Sequence, residues 1–129
     1  MKFSISGSVI VLALVLSGCN VQIDVPEGGR VVSQSGAYVC ESGQSCVISV
    51  VDIHFDETFM AMPEPGYKFM GWENHPGRPA FCGGSAEACR LSTAGFDENE
   101  ELMQVLESNQ TWHLVPVFEL MTWDNGTYL

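Results

Sequence analysis

Positively charged side chains are scarce in this chain: five Lys and Arg stand against sixteen Asp and Glu, for a formal net charge of −11. Nucleic-acid affinity comes largely from Lys and Arg neutralising phosphates, so that ligand class is excluded. The same deficit argues against a surface lying flat on anionic lipid headgroups. Long hydrophobic stretches are also missing. The apolar run from Val9 to Leu16, VIVLALVL, is far shorter than the roughly 20 residues of a permanent bilayer-crossing helix. There is no Cys-x-x-Cys redox pair, no Gly-x-Ser-x-Gly nucleophile elbow, and no Walker or Rossmann glycine pattern. Carboxylate pairs such as Asp56-Glu57 and Glu100-Glu101 exist, but an acidic chain carries such pairs whatever it does. The reading is a non-enzyme without a cofactor.

What is present begins at the N-terminus. Lys2 and the free amine precede the short apolar run, and the small residues Ser17 and Gly18 lead to Cys19. That order and length suit a secretory signal peptide. The stretch Leu16-Ser17-Gly18-Cys19 resembles the lipobox of bacterial lipoproteins at all four positions. The resemblance implies cleavage before Cys19, a diacylglyceryl group on its sulfur and acylation of the new amine. Two or three acyl chains anchor stably, each buried CH₂ contributing about 0.8 kcal/mol. Asn20 follows where many inner-membrane lipoproteins of didermal bacteria carry Asp. The expected location is therefore the bacterial cell envelope, lipid-anchored, with the outer membrane favoured for a diderm. Removing residues 1–18 takes away Lys2 and no acidic residue, leaving a domain with a charge near −12. Such a charge favours solubility and cationic partners.

Five cysteines, Cys19, Cys40, Cys46, Cys82 and Cys89, leave one thiol over in an exported chain. Lipidation uses Cys19 and leaves an even set in an oxidising compartment. Four cysteines allow three pairings. The local pairing, Cys40–Cys46 and Cys82–Cys89, is expected because each pair brackets a short Gly/Ser-containing stretch, ESGQS or GGSAEA. By chain entropy each small ring contributes about 2 kcal/mol. The spacings are wider than those of zinc knuckles.

Beyond a short tether, residues 19–28, with some extended structure at Val21–Val25, β-prone runs alternate with turn signals. They are Arg30–Ser33, Ala37–Cys40, Cys46–Val51, Thr58–Met62, Tyr67–Trp72 and Thr111–Phe118. Pro65-Gly66 satisfies a type II turn and predicts a hairpin between Thr58–Met62 and Tyr67–Trp72. A helix is expected at 98–107, capped by Asp97 with Glu100 in capping-box position. Leu102, Val105 and Leu106 would face the sheet. Pro116 implies an edge or a bulge in the last strand. The fold class is β-rich α+β: a small antiparallel sheet domain with one short helix and two local disulfides.

Residues 29–119 resemble a divergent InlB-type B-repeat, also called a bacterial repeat domain. The resemblance is carried by Gly29-Arg30-Val31-Val32-Ser33, Gly36 to Cys40, Cys46 and Thr58 to Pro63. It continues through Gly66-Tyr67-Lys68-Phe69-Met70-Gly71-Trp72, Cys82, Cys89 and Val115 to Glu119. It implies a β-grasp-like module with the two local disulfides, and it transfers no catalytic residue. The chain departs from the family in the roughly twenty residues between Cys89 and the last strand, which include the helix, and in holding a single copy. The organisation is then signal peptide 1–18, lipidated tether 19–28, repeat-like domain 29–119 and C-terminal tail 120–129.

Three functional readings follow. The leading one is a membrane-anchored, non-catalytic binding or structural module for a protein or glycan partner, with a contact loop drawn from Trp72, Asn74, His75 and Arg78. The alternative is a small metal-binding or enzymatic lipoprotein: Asp52, His54 and Asp56 would share one face of an extended strand and are ordinary divalent-cation ligands. The third is an accessory subunit of an envelope complex, with Trp123 and Tyr128 of the tail as contacts.

Overall fold

The computed structural model describes residues 18–74 and 82–121. The described chain is strand-rich, with one α-helix, mostly antiparallel sheets and both disulfides in the local pairing. In chain order the strands are β1 (Cys19–Asp24), β2 (Gly29–Ser33), β3 (Val39–Cys40), β4 (Ser45–Val50), β5 (Asp56–Pro63), β6 (Tyr67–Trp72) and β7 (Cys89–Ser92). A 3-10 turn, Phe96–Glu98, and the helix α1 (Glu100–Glu107) follow, then β8 (Thr111–Leu114) and β9 (Pro116–Leu120). They form three small sheets, ordered β4-β1-β8, β3-β2-β5-β7 and β6-β9.

The expected tether is instead the middle strand of the first sheet. β1 pairs antiparallel with β4, from Cys19↔Val50 to Asp24↔Ser45, and parallel with β8. The reason lies in its alternation. Cys19, Val21 and Ile23 share one face and are buried, and Val25 continues the row, while Asn20, Gln22 and Asp24 face outward. A strand hydrogen-bonded on both edges and apolar on one face belongs in the core. Val21, Ile23, Val31, Val50, Phe59 and Leu114 are all at most 1 % exposed there.

The Pro65-Gly66 turn forms, with Tyr67 N–H donating to Glu64 O at 3.0 Å and Gly66 at φ 88°, but the expected hairpin does not. β5 pairs with β2 and β7, and β6 pairs with β9. A bulge between Phe69 and Gly71 re-aims β6, and Gly71 at φ 122° is the residue that permits it. Pro116 does interrupt the expected last strand. It splits that run at Val115 into β8, which stays with β1, and β9, which crosses to β6. A residue that cannot donate a ladder hydrogen bond thus sits where the chain changes sheets.

The helix begins two residues later than expected. Asn99, not Asp97, is its cap: Oδ1 accepts from Glu101 N–H at 2.9 Å and Leu102 N–H at 3.3 Å. Asp97 is spent inside the preceding 3-10 turn. Glu100 and Glu101 still lie at the positive end of the helix dipole.

The disulfides join separate parts of the fold. Cys40 on β3 and Cys46 on β4 tie the second sheet to the first. Cys82–Cys89 holds the 82–89 loop to β7. That loop also receives Trp72, whose N–H donates to Ser85 O and whose Nε1–H donates to Glu87 O, both at 2.8 Å.

Candidate functional site

Cys19 opens β1, and the two-residue period directs its side chain to the same core-facing side as Val21. It is 8 % exposed, and its Sγ–H lies 3.8 Å from the carbonyl of Val50, the residue opposite it on β4. Burial pushes the thiol's pKa up, so it is not an activated nucleophile. All other cysteines are in disulfides; Cys19 alone is free.

Beside Cys19 lies a cavity of about 180 Å³ between the first sheet and α1. Val21, Val50 and Trp112 form its floor, Leu102 and Val105 of α1 its roof, and Leu91, Thr93 and Phe96 its side. Its exposed wall is wholly apolar. Thr93 conforms to this because its hydroxyl is used elsewhere, donating to Asp52 O at 2.9 Å. Leu102, 37 % exposed, stands at the open side. The helical residues expected to pack on the sheet thus divide: Leu106 is buried, whereas Leu102 and Val105 cover a space they do not fill.

The expected contact loop is only partly described. Trp72 is not a surface residue. It is 2 % exposed, stacks edge-on to Phe69 at 5.1 Å and donates its indole N–H to Glu87 O. Its bulk anchors the Cys82–Cys89 loop. Asn74 is exposed and lies against Gly83. His75 and Arg78 lie outside the described residues, as do Trp123 and Tyr128 of the tail.

Asp52, His54 and Asp56 do not form a cation site. They border one shallow, open depression, but the chain turns at 52–54 instead of running extended. Asp52 Oδ1 accepts from the His54 backbone N–H at 2.9 Å. Asp56 is held by Arg90 through two hydrogen bonds of 3.0 and 2.9 Å, which lower its pKa. Among the described residues no group of three or more His, Cys, Asp or Glu is arranged to hold a metal. The neighbouring polar depression is closed upon itself in the same way, with Ser35 Oγ donating to the Glu57 carboxylate at 2.8 Å.

One polar cluster on β1 escapes sequence reasoning. Asp24 accepts from Gln22 Nε2 and Ser45 Oγ, at 2.8 and 2.7 Å, and its Oδ2 lies 3.5 Å from His113 Nδ1. Burial raises the carboxyl's pKa, but these hydrogen bonds outweigh it and the net shift is downward. The cluster ties all three strands of the first sheet together on its outer face. No spacing rule links residues 24, 45 and 113, so the sequence carries no local signal for it.

Among the described residues no helix is long and apolar enough to cross a membrane. No family model, no curated protein and no solved structure matches this chain.

Proposed function

We propose that this chain is a bacterial envelope lipoprotein, anchored through Cys19, whose strand-rich domain is a non-catalytic binding or structural module. The observation that carries the reading is Leu16-Ser17-Gly18-Cys19, placed directly after a signal-length apolar run. Cysteine usage supports it: four cysteines pair locally and Cys19 is left over. The absence of nucleophile-elbow and nucleotide-binding motifs from the whole sequence, and the pairing of the described acidic clusters with their own neighbours, favour binding over catalysis.

Because β1 starts at Cys19, the anchored protein has no spacer between lipid and domain. The module is held at the membrane surface, and its acidic character keeps it from spreading on anionic headgroups. A partner is therefore an envelope protein or glycan reached close to the bilayer, with the outer membrane favoured for a diderm because Asn20 replaces the retention Asp. The test is metabolic labelling with an alkyne fatty acid in a host that processes lipoproteins. Label is expected on the wild-type chain and absent from Cys19→Ser; label that persists in Cys19→Ser contradicts the reading.

A further inference from the structure

We propose that the apolar cavity beneath α1 seats the first part of an acyl chain carried by Cys19 itself, so that the lipid completes the core of the domain before it enters the bilayer. This rests on the lipoprotein reading above.

The geometry points to this occupant by position. The side chain of Cys19 is on the core face of β1, level with Val21 and opposite Val50, and all three residues line the cavity. A substituent on this sulfur therefore starts out inside the fold and not in solvent. The cavity next to it has a wholly apolar exposed wall among the described residues. An engineered cavity of about 150 Å³ takes up benzene, so about 180 Å³ accommodates a chain segment of roughly six carbons. The glycerol bound to the sulfur runs to the open side of the cavity, where its ester oxygens meet water because that wall offers them no donor, and methylenes of one acyl chain fold back into the apolar space. The partly exposed Leu102 marks where the chain leaves.

Cleavage strengthens the case. It would make Cys19 the first residue and put a new amine at the start of a core strand. A charged ammonium there is costly to keep from water, and an N-acyl amide removes that charge. The modified cysteine fits this position better than the bare one.

The experiment feeds the host a fatty acid with a diazirine near its carboxyl end, irradiates the purified full-length lipoprotein in detergent, and maps adducts by mass spectrometry. The expected result is intramolecular adducts between the Cys19 lipid and residues Leu91, Phe96, Leu102 or Val105, with their loss in Val105→Trp while acylation of Cys19 persists. Acylated Cys19 with adducts only outside the cavity overturns this inference and leaves the lipoprotein reading standing. Cavity adducts that persist in Cys19→Ser mean that free lipid is the occupant and overturn it as well. An unacylated Cys19 overturns both. Adduct mapping on the wild-type chain decides the matter if Val105→Trp does not fold.

Discussion

Two side chains on β1 set opposite faces of the first sheet to different tasks. Cys19 turns inward towards the cavity, and Asp24 turns outward to gather Gln22, Ser45 and His113. Asp24 gives the domain an acid sensitivity of definite sign. Its folded-state pKa is lowered, so its stabilisation is fully present above the ordinary carboxylate value near 3.9 and is lost as pH falls through the lower folded value. Urea midpoints measured between neutral and acid pH should fall at the acid end for the wild type. The fall should be shallower for Asp24→Asn, and equal slopes for the two would remove Asp24 from the account. At this scale the sequence is only partly legible. Cys19 stands out from the three residues before it, but the Asp24 cluster joins positions 21 and 89 residues apart. Trp72 invites a surface role by preceding a Pro- and Gly-containing stretch, whereas its size and indole N–H make it the anchor of the Cys82–Cys89 loop.

Among the elements, the tight turn matches its short-range expectation, whereas strand pairing and the helix cap are decided by what surrounds them. The turn at Pro65-Gly66 needs only a fixed φ and a positive φ in succession, and it forms. Whether β6 then folds back on β5 depends on distant strands, and β9 captures it. β1 had its signal in plain view, since Val21, Ile23 and Val25 alternate; a tether is expected there only because the lipid site is adjacent. Asn99 outcompetes Asp97 as a cap because the preceding 3-10 turn occupies Asp97 and leaves Asn99 extended at the helix entrance. Asn99→Ala should therefore cost about 1 kcal/mol of stability, the usual loss for a cap with two backbone partners. Asp97→Ala should cost distinctly less. Denaturant midpoints of the two variants check this directly.

For the whole molecule, the two disulfides constrain different parts of the fold. Cys40–Cys46 joins two sheets and Cys82–Cys89 secures the loop that receives Trp72. Replacing either pair with alanines should lower stability by about 2 kcal/mol, read as a drop in unfolding midpoint. Only loss of Cys40–Cys46 should increase hydrogen exchange along β3 and β4 together. Burial of Cys19 also sets an order of events. In the folded domain the Cys19 sulfur is on the core face of the middle strand and shielded from a modifying enzyme, so the acylation proposed here would have to precede folding. A chain folded before export to that enzyme should remain unlabelled. The fold class and disulfide pairing were legible at this scale because alternation and local cysteine spacing encode them. The burial of Cys19 in the core was not, because it depends on which strands β1 joins. The central claim, that the domain begins at a lipidated Cys19, is tested most directly by intact mass and N-terminal peptide mass of the protein purified from membranes. The account predicts a chain starting at Cys19 and heavier by a diacylglyceryl group, with or without an added amide-linked acyl chain. A chain that keeps residues 1–18, or that carries an unmodified Cys19, would contradict it.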